Sequence, residues 1–271
     1  MTESTTESSF DHSSDPKFFA YYAALSESAS TLQRFGTVRD KALKLIRQRR
    51  DLHDVQLDVL DVGCNAGTQV RMWASLGHRV TGLDVNAPLL ELARDRAVKD
   101  GLSVRFDVGT ATALPYADSA FDVCLLPELL EHVQDWQSCL NEAVRVLRPG
   151  GLLYLSTTNA LCPKQQEFNL PFYSWYPAFL KRHFEKLAVT SRPELANHAR
   201  YPAVHWFTFG QLRRYLGARK IDCLDRFDVI ETKGRSLSVR AAVWALQNLA
   251  PLRLLGHLAT PGTMVIGFKR L

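Results

Sequence analysis

The 271-residue chain has no C-x-x-C pair, no apolar run long enough to span a bilayer, no internal repeat, and no Lys or Arg before Lys17. Cysteines 64, 124, 139, 162 and 223 fall mostly in expected strands and helices, where a reduced thiol behaves as a small buried apolar residue. A reducing cytoplasm is the simplest expectation. The missing apolar span leaves no candidate transmembrane helix, and the lack of early cations argues against a secretory or mitochondrial leader. Acidic residues are absent after Glu231, while Lys233, Arg235, Arg240, Arg253, Lys269 and Arg270 remain. From Lys181 onward 16 Lys and Arg stand against 6 Asp and Glu, in a chain whose net charge is only +5. Cations concentrated in this way imply an anionic partner or surface.

What is present points to one α/β domain. A hydrophobic content of 46% supplies a substantial core. Residues 1–14 are polar and low in complexity, and are expected to stay disordered because they bury too little apolar surface to offset ordering entropy. Residues 15–271 then read as a single domain. Its first part, 15–50, is helical, with Phe18, Phe19, Tyr21, Tyr22 and Leu25 early and Leu43, Leu45 and Ile46 later. Strands at 57–62, 79–83, 103–107, 120–126 and 151–157 alternate with helical stretches, a pattern that implies a mostly parallel sheet with helices on both faces. Residues 160–205 break the rhythm with five prolines and many aromatics, and read as a lid inserted after the fifth strand. Gly210–Leu216 reads as a helix, and Arg226–Thr232 and Thr263–Lys269 as the closing strands. Between these strands, 236–259 is a helical, apolar segment flanked by cations. It is suited to peripheral contact with an anionic membrane, or to burial against the sheet or a partner subunit.

The most informative stretch is Leu57-Asp58-Val59-Leu60-Asp61-Val62-Gly63-Cys64-Asn65-Ala66-Gly67, an apolar strand running into a glycine turn and then helix-like sequence. Asn65 and Thr68 stand where the dinucleotide pattern G-x-G-x-x-G has its second and third glycines, which disfavours a pyrophosphate cradle. Asp84 ends the second strand, where an acid accepts hydrogen bonds from ribose hydroxyls. With Ala113-Leu114-Pro115-Tyr116, Ser119-Ala120-Phe121-Asp122-Val123 and Arg145-Val146-Leu147-Arg148-Pro149-Gly150-Gly151 following in order, the chain resembles the class I S-adenosylmethionine-dependent methyltransferases. The resemblance is firm over about residues 35–160. It implies a Rossmann-like, seven-stranded, mostly parallel sheet with an antiparallel last strand. It also implies S-adenosyl-L-methionine as cofactor, held by Asp61, Gly63, Cys64, Asn65, Gly67, Asp84, Val85, Thr110, Ala111, Pro127 and Arg34.

Pro127-Glu128-Leu129-Leu130-Glu131-His132-Val133 follows the fourth strand, and Leu155-Ser156-Thr157-Thr158-Asn159 follows the fifth. Both are similar to the ubiquinone-biosynthetic O-methyltransferases, where the two glutamates and the histidine are associated with a divalent metal. The resemblance implies that Glu128, Glu131 and His132 form the catalytic set. They would either bind Mg²⁺ to acidify the acceptor hydroxyl, or leave His132 as the general base. A solvated helix face carrying an i, i+3 carboxylate pair is the alternative. Phe168, Phe172, Tyr173, Trp175, Tyr176, Phe179, His198, His205, Trp206 and Phe207 offer aromatic surface for a flat or greasy acceptor, or for packing the lid.

The expected activity is O-methyl transfer to a small-molecule or lipid-linked, quinone-precursor-like phenol. Metal-free methylation of a sugar hydroxyl or a natural-product oxygen or nitrogen is the rival. Nucleic acid is not an expected partner, because Leu126-Pro127-Glu128 stands where base methyltransferases carry N/D-P-P-Y/F.

Overall fold

The computed structural model describes residues 16–50, 55–165, 167–196 and 203–271. The tail expected to be disordered, 1–14, and His198 of the lid lie outside the described residues. Helices α1 (Pro16–Leu25) and α2 (Ala29–Arg50) lead into β1 (Asp58–Val62), α3 (Thr68–Ala74), β2 (Arg79–Asp84), α4 (Ala87–Lys99), β3 (Arg105–Val108), β4 (Phe121–Pro127), α5 (Trp136–Val146) and β5 (Leu147–Thr158). Then come α6 (Ala178–Thr190), α7 (Phe209–Gly217), β6 (Ile221–Leu224), α8 (Leu237–Asn248), α9 (Ala250–Leu258) and β7 (Gly262–Lys269).

The seven strands form one sheet in the order β3-β2-β1-β4-β5-β7-β6. Strand β1 runs parallel to β2 and β4, β2 parallel to β3, and β6 antiparallel to β7. This is the Rossmann-like sheet that the alternation of apolar segments implies. The strand order reverses at β1 and β4, and ligands of such sheets bind beyond the carboxyl ends of the strands at that point.

Two boundaries differ from the sequence reading. Arg226–Thr232 is not a strand, and β6 ends at Leu224. The Asp225 carboxylate accepts the backbone N–H groups of Phe227 (2.8 Å) and Asp228 (3.1 Å), which turns the chain out of the sheet. The segment 236–259 is two helices rather than one, because Leu249 is extended at φ −102° and ψ 107° and Pro251 opens α9. Proline has no N–H to give to a continuing helix but fits a first turn.

By its contacts the chain divides into two compact units, one running to Leu126 and including Gln137–Leu152, the other made of Pro127–Trp136 and Leu153–Arg270. In the first, Leu60, Val70, Trp73, Leu83, Leu90 and Leu125 are fully buried, each such leucine stabilising the fold by about 1.5–3 kcal/mol. Strand β4 is buried along nearly its whole length, which is why Val123–Leu126 is a continuous apolar run instead of an alternating one. Arg145 of α5 donates to Glu142, to Asp118, and to the carbonyls of Tyr116 and Leu114. Arg148 bridges Asp58 and Asp122 at 2.7 Å each. The downstream motifs therefore stitch loops and strands together.

In the second unit Leu153, Leu155, Phe207, Leu212, Leu216 and Ile266 are buried. The lid has its own small core of Phe168, Tyr173, Ala188 and Ala196, against which Trp206, Tyr176 and Phe184 pack.

Replacing Arg145 by Met removes the donors that hold Leu114–Asp118. The expected result is a loss of about 2–3 kcal/mol in urea unfolding, with the slope unchanged.

Candidate functional site

In the first unit the turn after β1 is built from left-handed residues. Gly63 has φ 75°, Asn65 φ 52° and Gly67 φ 75°. Asn65 takes the left-handed position where the resembling family has its middle glycine. Asparagine is among the few side chains that tolerate this conformation, and its Oδ1 accepts the N–H of Ala66 at 2.7 Å. At Gly67 a Cβ would come within 2.8 Å of the Ala93 Cβ and 3.0 Å of the Phe106 ring, so only glycine lets α3 start this close to its neighbours. The N–H groups of Gly63 and Cys64 both reach the carbonyl of Leu83.

Asp84 fastens this turn to β2. One carboxylate oxygen accepts the N–H of Asn65 (2.8 Å), the other that of Asn86 (2.9 Å). Burial holds its carboxyl above the usual range, opposed by those backbone N–H groups. A carboxylate has about four acceptor sites, so capacity for ribose hydroxyls remains. Gly109 N–H donates to the Asp84 carbonyl (3.0 Å), which sets Gly109-Thr110-Ala111 beside it. The Thr110 hydroxyl is engaged locally with Thr112 (2.8 Å).

Asp61 is buried, and among the described residues its Oδ1 has no hydrogen-bond partner. Burial, reinforced by Asp84, raises its pKa well above the carboxylate range. Gln69 and Asn86, which the sequence reading missed, are also buried with amide atoms lacking partners. Orphaned polar atoms cost stability unless a ligand or water meets them. Together with the glycine turn they fit a polar nucleoside cofactor. The other expected contacts are less enclosed. Val85 is exposed, and Arg34 lies on the exposed side of α2 with its guanidinium 4.9 Å from the Phe35 ring centre.

In the second unit Pro127 ends β4, and the segment that follows is a series of turns rather than a helix. The reading of an i, i+3 pair on a solvated helix face therefore does not hold. Glu128 is left-handed at φ 53°, held by its N–H to the Ser156 carbonyl at 2.8 Å. A non-glycine residue in that region stores about 1–3 kcal/mol and is typical of functional sites. Glu131 is buried, its Oε2 accepts the Thr157 hydroxyl at 2.7 Å, and its carbonyl accepts the N–H of Val204 (3.0 Å). Burial pushes the Glu131 pKa up to about 8. His132 is half-buried. When protonated, its ring favours the ionised form of Glu167, a lid residue whose pKa is raised chiefly by burial and also by Glu131 and Glu128.

The expected Mg²⁺ set finds no support: Glu128 is exposed, whereas Glu131 is buried and accepts from the Thr157 hydroxyl. Among the described residues no group of three or more His, Cys, Asp or Glu is placed to hold a metal ion. Glu167 is the residue here that sequence reasoning missed. Its one signal was a lone acid inside an aromatic stretch. The lid aromatics split: Phe168, Tyr173 and Phe207 are buried, whereas Phe172, Trp175 and Phe179 are exposed.

Because native Glu131 keeps its proton up to about pH 8 while the unfolded carboxyl releases it near 4.5, its contribution to stability falls as pH rises between those values. The expected slope approaches 1.4 kcal/mol per pH unit. Urea unfolding from pH 5 to 8 should show a shallower decline for Glu131→Gln than for the unsubstituted protein.

Residues 60–155 match the family model described as a methyltransferase domain. The ubiquinone biosynthesis O-methyltransferase of Chelativorans sp. (strain BNC1) is 37% identical over 103 residues, covering 38% of this chain and 41% of that protein. The enzyme of the same name from Parvibaculum lavamentivorans is 30% identical, covering 58% and 66%. A demethylmenaquinone methyltransferase of Tropheryma whipplei is 31% identical, covering 57% and 62%. The chain thus spans between two fifths and two thirds of the length of these relatives. In fold it is similar to a crystal structure from Methanosarcina mazei titled as SAM-dependent methyltransferases, with a TM-score of 0.52, 24% identity, and coverage of 84% and 97%. The turn, its acidic strand ends and these likenesses converge: the chain carries a methyltransferase domain of the S-adenosylmethionine-dependent class.

Proposed function

We propose that the protein as a whole transfers a methyl group from S-adenosylmethionine to a hydroxyl of a small-molecule or lipid-linked phenol of the quinone-precursor kind. The observation that carries the cofactor half is the Asp84-fastened turn with the unpartnered, buried Asp61 Oδ1. Bound S-adenosylmethionine supplies an electrophilic methyl on a sulfonium. Asp84 accepts the ribose hydroxyls. Gly63, Cys64, Asn65 and Gly67 give the close backbone approach. Asp61 Oδ1 accepts from the polar end of the ligand, and Val85, Thr110 and Ala111 line the rest. Arg34 is the candidate cation for the methionine carboxylate.

His132 takes the acceptor's proton as general base. The nearby carboxyl of Glu167 favours the imidazolium that results. Glu131, fixed by Thr157, positions the His132 turn, and Glu128 presents its carboxylate at the exposed end. The names of the relatives support a quinone-like phenol. Peripheral contact with an anionic membrane belongs to this reading, since a lipid-linked phenol is met at a bilayer surface. The rival is metal-free transfer to a sugar hydroxyl or a natural-product oxygen or nitrogen acceptor.

Calorimetry with S-adenosylmethionine tests the cofactor half. Asp84→Ala is expected to raise the Kd by about tenfold or more, the equivalent of about 1.4 kcal/mol or more. No heat with the unsubstituted protein would sink the reading. Transfer of labelled methyl into lipid and aqueous extracts, each with and without chelator, tests the acceptor. Chelator-insensitive label in lipid, lost in His132→Ala, is expected; label confined to the aqueous extract would favour the rival.

A further inference from the structure

Helix α9 is turned inside out. Its two ionisable side chains face the protein: Arg253 reaches Asp225 at 2.9 Å and Asp228 at 2.6 Å, and His257 Nε2 lies 3.0 Å from the fully buried Asp225. The His257 ring stacks on Phe209 and meets the edge of Phe227. Leu252, Leu254 and Leu255 are left exposed, Leu255 by 59%. A surface helix ordinarily does the reverse, apolar stripe inward and charge outward.

Helix α8 behaves in the same way. Every residue from Ser236 to Ala242 is exposed, Leu237 by 80%, and Trp244 is 60% exposed. Leu237, Ala241 and Trp244 recur at four- and three-residue spacing and share one helix face with Arg240. Apolar exposure concentrated in one hairpin marks a surface that something apolar covers.

Charge identifies the cover. Lys233, Arg235 and Arg240 are exposed around the start of α8, and no acid follows Glu231. A second copy of the chain would set these cations against each other, whereas a bilayer with anionic headgroups takes both the leucines and the cations. Tryptophan favours that boundary. Among the described residues no helix is long and apolar enough to cross a membrane, so the hairpin would lie on the surface.

We propose that the α8–α9 hairpin is an interfacial docking element that seats Leu237, Trp244, Leu252, Leu254 and Leu255 in an anionic lipid surface. The Asp225 cluster is the clamp that keeps this face outward. The proposal deepens the membrane part of the function proposed above and rests on it.

The test is sedimentation with vesicles of phosphatidylcholine, alone or with about one quarter phosphatidylglycerol. The protein is expected to pellet with the anionic vesicles, less so in about 0.5 M salt. Leu254→Ser with Leu255→Ser, and separately Arg235→Glu with Arg240→Glu, are each expected to lower partition by about tenfold or more. These residues are exposed, and an unchanged thermal midpoint confirms that the variants fold. Equal pelleting of all variants, or pelleting with neither vesicle, overturns the proposal. So does a concentration-dependent dimer in sedimentation velocity that the serine pair abolishes without any vesicle binding. Cofactor affinity by calorimetry is read in the same samples, so a failure of docking is distinguishable from a failure of the methyltransferase reading.

Discussion

The Asp84 carboxylate is the constraint on which the cofactor half depends. Its two oxygens hold the backbone of Asn65 in one loop and of Asn86 in the next, so the turn after β1 and the start of α4 are set by one side chain. The cost is a carboxylate kept in a buried place, partly offset by the N–H groups aimed at it. Asp61 carries a similar cost with less compensation. A fold keeps such groups where a ligand completes the set.

The segment after β4 obeys a different logic. Its strain is local, in the left-handed Glu128, and its polarity is graded: an exposed acid, a half-buried imidazole and a buried acid that retains its proton.

The C-terminal third shows how a buried polar cluster can decide which face of a helix meets solvent. Asp225 is satisfied by two backbone N–H groups, Arg253 and His257. Rotating α9 to bury its leucines would strand that carboxylate. The same Asp225 ends β6, so one residue both closes the sheet edge and orients the hairpin.

Much of the fold was legible because parallel strands buried on both faces announce themselves as short apolar runs. Val123–Leu126 is such a run, and the glycine turn between strand and helix has few conformational solutions. The turn after β1 was legible for the same local reason, including the asparagine that replaces a glycine in a left-handed position. What the linear order did not reveal depended on contacts between distant segments. Arg226–Thr232 has strand-like composition, yet Asp225 curls it. Glu167 lies 35 residues from His132 in sequence and meets its charge only through folding. The pairing of Glu131 with Thr157 is likewise a tertiary fact. So is the outward face of α9, because amphipathicity tells that a helix has two faces, and only the placement of Asp225 determines which one is turned to solvent.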